Sequence, residues 1–91
     1  MESLPSEIGN LSNLEILQLE DNRFSGAIPT EFADLKHLVK LQMQLNDLTG
    51  TVSAQMCSLT EGVLNTFKTD CAGDFPEIVC DCCTECSNEQ N

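Results

Sequence analysis

Apolar positions recur through the first half of the chain at a spacing that neither a single helix nor a plain alternating strand produces. The stretch Leu14 to Pro29, L-E-I-L-Q-L-E-D-N-R-F-S-G-A-I-P, lies within a 24-residue period, and two copies align without gaps from Leu4 to Thr51. Eight of the 24 columns are identical: Pro5/Pro29, Glu7/Glu31, Leu11/Leu35, Leu14/Leu38, Leu17/Leu41, Gln18/Gln42, Asn22/Asn46 and Gly26/Gly50. Ordinary residue usage gives about one or two such matches. The L-x-L core predicts a short strand with Leu17 and Leu19 facing inward and Ile16, Gln18 and Glu20 facing outward. Asn22 and Asn46 follow the strands, where a short amide can bond turn N–H and C=O groups that would otherwise be buried unpaired, and such asparagines can stack as a ladder. Phe24 and Leu48 then turn inward, Gly26 and Gly50 permit a sharp bend, and Pro29 fixes the next φ. A single amphipathic helix through Leu11, Leu14 and Leu17 would break between Gly26 and Pro29 and would leave the recurrence unexplained.

The pattern divides the chain into repeats at 4–27 and 28–51, followed by a degenerate repeat at 52–69. After Pro29, the segment Thr30 to Leu35 opens with an N-cap-like residue and early acids, which predicts a short helix or 3₁₀ turn opposite the strands. The third repeat begins in register at Val52, with Met56, Cys57 and Leu59 matching Phe32, Ala33 and Leu35. It stays aligned at Leu64, Phe67 and Thr69 only if two residues are inserted between Thr60 and Val63. From Asp70 the pattern stops, and 70–91 reads as a cysteine-rich acidic cap and tail.

Charge and cysteine usage narrow the function classes. Fifteen acids stand against Arg23, Lys36, Lys40 and Lys68, for a net charge of −11, which argues against electrostatic binding to nucleic acid or anionic membrane. A chain of 91 residues buries a modest fraction of its surface and is expected to need staples or neighbours. The N-terminal residues have no basic and apolar signal-peptide pattern, and no run is long enough for a transmembrane helix. The repeat is already under way at Leu4-Pro5, so the flank of Ile8, Leu11, Leu14 and Leu17 is expected to lie open and to favour self-association. A fragment, or the C-terminal end of a longer chain, is the expectation that follows.

All six cysteines, Cys57, Cys71, Cys80, Cys82, Cys83 and Cys86, fall late in the chain. An even number at one end predicts a disulfide-bonded cap from an oxidising compartment. Six cysteines allow 15 pairings; Gly73 and Pro76 can turn the chain so that Cys71 meets Cys80, leaving Cys57 to reach Cys82 or Cys83. The competing reading of C-x-C-C-x-x-C is a thiolate metal site, which adjacent cysteines fit awkwardly, so no metal or other cofactor is expected. Asn10-Leu11-Ser12 is a glycosylation sequon on a predicted turn.

The pattern L-x-x-L-x-x-L-x-L-x-x-N-x-F/L-S/T-G-x-I-P-x-E-F/I, seen from Leu11 to Glu31 and again from Leu35 to Val52, resembles the plant-type, 24-residue leucine-rich repeat of receptor-like kinase ectodomains and secreted inhibitors. The M-C-x-x-L…T-D-C…C-D-C-C-T-E-C tail is similar to the cysteine-rich end of leucine-rich-repeat proteins of microalgae. This resemblance implies an α/β fold, a right-handed leucine-rich-repeat solenoid fragment of about three repeats, with a short parallel sheet on its concave side and a disulfide-rich C-terminal cap. It also implies protein, peptide or glycan binding and an extracellular or cell-surface setting within a longer chain. Val52-Ser53 in place of I-P and the absence of a kinase domain and of an N-terminal cysteine cap depart from that family.

Catalysis has little to stand on. His37 is the single histidine, it matches Asn13 on the convex side, and Cys57 is the one nucleophile to consider beside it. The expectation is a non-enzymatic binding module. Stacked in parallel, Ile16, Gln18 and Glu20, then Lys40, Gln42 and Gln44, then Thr66, Lys68 and Asp70, are expected to form one partner-binding surface. Asn22 and Asn46 are expected to be structural.

Overall fold

Each apolar column of the sequence becomes a short element held by its counterpart in the next turn of chain rather than by its own length. The computed structural model of the protein describes residues 3–73 and 76–87. Positions 74, 75 and 88–91 of the acidic cap and tail lie outside the described residues. A 3₁₀ helix η1 (Ser6–Asn10) leads into strand β1 (Ile16–Gln18) and then β2 (Ser25–Gly26). The next passage repeats this with η2 (Thr30–Asp34), β3 (Lys40–Gln42) and β4 (Asp47–Leu48), then adds β5 (Gly50–Thr51). Helix α1 (Ala54–Cys57) and η3 (Ser58–Glu61) precede β6 (Thr66–Thr69), and β7 (Ile78–Val79) and β8 (Glu85–Cys86) complete the described elements.

The main sheet has strand order β1-β3-β6-β8, and every pair is parallel. Leu17 stands beside Leu41 and Leu41 beside Phe67, so the register steps by 24 residues and then by 26. The longer step takes up the two residues inserted before Leu64. Two smaller parallel pairs, β2 with β4 and β5 with β7, lie further along the turns.

Burial follows the number of neighbours that each passage of chain has. Phe32, Leu35, Leu41, Met43 and Leu48 are fully buried, as are Phe67 and Ile78. Ile8, Leu14, Leu17, Leu19, Phe24 and Ile28 only pack partly against that core, and Leu11 remains 53% exposed. The inward positions expected at Leu17 and Leu19 are therefore half-buried, because β1 has a strand on one side only.

The helical segments between the strands differ for a reason visible in their first residues. Pro29 precedes η2 with no side-chain cap, so Thr30 opens the 3₁₀ helix instead of capping it. At the corresponding point of the next turn Ser53 replaces proline, and its Oγ accepts a hydrogen bond from Met56 N at 3.2 Å. That cap accompanies a turn of α-helix in place of 3₁₀. These segments also pack closely against each other. A Cβ built on Gly9 would lie 2.5 Å from the Glu31 carbonyl oxygen and 2.8 Å from Glu31 Cβ, so glycine is what lets η1 approach η2.

The turn after each strand is held by amide side chains, unequally. Asn22 is exposed, and its Nδ2 donates to Leu19 O and Glu20 O within its own turn. Asn46 is 4% exposed and joins two turns of chain: Nδ2 donates to Met43 O, Gln44 O and Leu19 O, while Oδ1 accepts from Phe24 N. Gly26 and Gly50 have φ of +83° and +107°, the left-handed backbone in which a side chain is strained.

Three disulfides close the end of the chain: Cys57–Cys82, Cys71–Cys86 and Cys80–Cys83. Cys57 takes Cys82, one of its two expected partners. The expected Cys71–Cys80 pairing is overturned. Strand β8 joins the sheet beside β6, with Thr69 opposite Cys86, so Cys71 just beyond β6 meets Cys86 at a Cα separation of 4.8 Å. In the chain-entropy model the separations of 25, 15 and 3 residues correspond to about 3.5, 3 and 1.5 kcal/mol of stabilisation.

Two stability measurements test this account. Replacing Asn46 with Ala strands a buried amide and carbonyls on two turns and is expected to cost about 2 kcal/mol or more, whereas the same change at Asn22 costs well under that; urea unfolding of both variants compares them. Gly9→Ala should cost about 1–3 kcal/mol through overpacking against Glu31, and a melt unchanged from wild type would show that η1 can shift freely.

Candidate binding face

The outward residues of β1, β3 and β6 form rows across the sheet because the strands pair in register. Ile16, Lys40 and Thr66 make one row; Gln18, Gln42 and Lys68 make the next, with Glu85 of β8 alongside. Ile16 is 56% exposed, an apolar side chain on an otherwise polar row. Gln18 Nε2 donates to Gln42 Oε1 at 3.4 Å, and Lys68 Nζ lies 3.5 Å from Glu85 Oε1. These contacts are solvent-accessible, so the ion pair contributes well under about 1 kcal/mol and is weakened by salt. Its effect is on the character of the face, since a carboxylate partly neutralises Lys68. Among the described residues Lys40 forms no ion pair within 4 Å.

The third expected row, Glu20, Gln44 and Asp70, does not lie on the face in the same way. Strands β1 and β3 end at Gln18 and Gln42, and β6 ends at Thr69, so strand alternation no longer aims the residues beyond. Glu20 is half-buried, Gln44 is 8% exposed and Asp70 is 4% exposed. The Asp70 carboxylate turns into the neighbouring passage, where Oδ1 accepts from Leu45 N at 2.9 Å and Oδ2 from Asn46 N at 3.2 Å. Leu45 has φ of 63°, and that left-handed residue sits where two successive amides meet one carboxylate. Asp70 is therefore a structural acceptor and is corrected out of the partner-facing set. Gln44 joins it in being too buried to offer much surface, although Gln44 Oε1 and Glu20 Oε1 are buried without a hydrogen-bond partner.

Glu85 also stands on this face, and nothing in the repeat pattern signals it. It lies beyond the repeat, in a tail whose strand is visible only once the chain has folded back along β6. Thr84 completes that return: its Oγ1 accepts from Phe67 N at 2.8 Å, and its own N–H donates to Phe67 O at 2.9 Å. An open cleft lined by Asp21, Asn22, Arg23 and Asp47 lies on the turns after β1 and β3, away from both rows. His37 is exposed, and the Cys57 sulfur is tied to Cys82, so the nucleophile considered beside His37 is engaged elsewhere. All six cysteines are bridged, and among the described residues no group of three His, Cys, Asp or Glu side chains could hold a metal ion.

Residues 13–35 match the family model for the leucine-rich repeat, which covers β1, the Asn22 turn and η2. The chain thus carries a leucine-rich repeat, a unit that commonly mediates protein binding. No curated protein matches the sequence. Among the described residues no helix is long and apolar enough to cross a membrane.

Removing the Asp70 carboxylate tests its reassignment. Asp70→Ala leaves the amides of Leu45 and Asn46 without an acceptor and is expected to cost about 2–4 kcal/mol. Hydrogen exchange should speed up at Leu45 and Asn46 first. Unchanged protection there would return Asp70 to the surface set.

Proposed function

We propose that the chain is a non-enzymatic binding module of the plant-type, 24-residue leucine-rich-repeat kind, recognising a protein or peptide, or a glycan, through the outer face of its main sheet. The observation that supports this most is the in-register stacking of Ile16–Lys40–Thr66 beside Gln18–Gln42–Lys68, which puts an apolar group, amides, a hydroxyl and cations on one surface. Such a mixture suits a peptide or hydroxyl-rich ligand, offering hydrogen bonds in both directions with one apolar contact. Lys40, which forms no ion pair among the described residues, is the group best placed to meet an acidic or hydroxyl-rich element of the partner. We read the three passages as the concave side of a short solenoid within a longer extracellular or cell-surface protein, a setting that three disulfides favour. A surface of three or four short strands is near the low end for a stable interface, so adjoining repeats would share the contact. The open flank at Leu11, 53% exposed, is the surface through which the isolated chain would self-associate.

Peptides selected against the oxidised chain from a random display library provide the test. Lys40→Glu combined with Lys68→Glu should weaken the selected peptides about tenfold or more while leaving the melting temperature within a few degrees, because both side chains are outside the core. Retention of binding in that variant, with loss on changing Glu31 or Asp34 of the convex side, would show that the face is wrongly assigned.

A further inference from the structure

The three disulfides are not equivalent. Cys71–Cys86 fastens β8 beside the end of β6, and Cys57–Cys82 fastens α1 to the tail. Cys80–Cys83 spans a separation of only 3 residues, so it closes the shortest loop and joins no distant elements. Both of its cysteines are partly buried against the core, as Cys57 and Cys82 are, and exposure is greater at Cys86. What sets this bridge apart is its short loop and the surroundings of Cys83 rather than exposure. Opening it leaves the turn tethered by Cys82 within the loop and by Cys86 beyond it.

The environment of one sulfur is also distinctive. Thr69 Oγ1 lies 3.4 Å from Cys83 Sγ, and a disulfide sulfur has no proton to give, so the hydroxyl is the donor. Thr69 is fully buried, sits in β6 opposite Cys86, and its carbonyl accepts from Ser87 N at 2.8 Å. The donor is therefore held in place by the sheet. A hydrogen bond aimed at a sulfur strengthens when that sulfur becomes an anion.

We propose that Cys80–Cys83 is a thiol–disulfide exchange site, with Cys80 as the sulfur attacked by an external thiolate and Cys83 as the leaving group. In the first step the external thiolate forms a bond to Cys80 Sγ, the Cys80–Cys83 bond breaks, and its electron pair leaves on Cys83 as a thiolate stabilised by the Thr69 hydroxyl. A second external thiolate attacks the external sulfur of that mixed disulfide, releasing Cys80 as thiolate and the external disulfide as product. Two electrons pass from two external thiols to the protein pair, and each cysteine thiolate can take a proton from solvent. Asp81 lies inside the loop and Glu77 and Glu85 flank it in sequence, so the reductant that fits is a small thiol carrying no negative charge of its own. This site is independent of the sheet face and would stand if the binding reading failed.

The intact oxidised chain, exposed to cysteamine at neutral pH and trapped by alkylation at intervals before peptide mapping, tests the assignment. Cys80 and Cys83 should be labelled first while the other four cysteines stay protected, and the transient cysteamine adduct should map to Cys80. Thr69→Val should slow opening about tenfold, the loss of one hydrogen bond to a developing anion, and Thr69→Ser should restore it to within about twofold. Labelling of Cys57 or Cys71 at the same rate as Cys80, an adduct on Cys83, or unchanged kinetics in the valine variant would each overturn the proposal. The adduct position is read on the unaltered protein, so it decides even if the valine variant folds poorly.

Discussion

Strands of two to four residues cannot satisfy or bury a backbone alone, and this protein depends on polar side chains that carry one turn of chain's hydrogen bonds to the next. Asn46 does this toward the preceding turn, by reaching Leu19 O and Phe24 N, while Asp70 does it from the following one, by accepting from Leu45 and Asn46 N–H. The two residues meet at Asn46, whose side chain serves one neighbour and whose backbone is served by the other. A left-handed residue at Leu45, unfavourable for a leucine, is tolerated where both amides it exposes are taken up. Leucines fill the interior and the parallel strands pair turn to turn, and these carboxylate and amide contacts extend that pairing past the strand ends.

Neighbour number then explains the gradient of burial. The middle passage, with a strand on each side, buries Phe32, Leu35, Leu38, Leu41 and Met43 to within 1%. The same columns one period earlier, at Ile8, Leu11, Leu14, Leu17 and Leu19, are half-buried or exposed, although the residue types are just as apolar. On the opposite side the last passage is covered by the tail: Ile78 is fully buried, and Cys80, Cys82 and Cys83 pack against the core. The disulfides thus stand where another apolar passage would otherwise supply contacts, which accords with nearest-neighbour stability in repeat structures.

The periodic part of this arrangement is legible in the sequence because one residue type recurs for one reason. Leu17, Leu41 and Phe67 share a column, and they stand side by side in the sheet. Alternation identifies Ile16, Gln18, Lys40, Gln42, Thr66 and Lys68 as outward, and it holds only as far as the strands run. Glu20 and Gln44 fall two residues past the strand ends and Asp70 one, where turn geometry rather than pleat sets direction, and Asp70 goes inward. The tail is not legible in this way. Gly73 and Pro76 signal a local turn, but Cys71 finds Cys86 through a strand pairing between β6 and β8 that has no counterpart in the repeat.

The same pairing joins the two chemistries of the molecule. By returning along β6, the tail delivers Glu85 to Lys68 on the outer face and places Cys83 against Thr69 on the inner one. Lys68 and Thr69 are consecutive, so strand alternation directs one to solvent and the other to the core. A short strand with no repeat of its own thereby sets the charge at the edge of the outer face and the surroundings of a disulfide. Because Cys71–Cys86 anchors that strand independently of Cys80–Cys83, the second bridge can open without withdrawing Glu85 from the face. The Lys68–Glu85 contact on the outer face and the Cys80–Cys83 bridge on the inner one are therefore separable, although both depend on one parallel pairing.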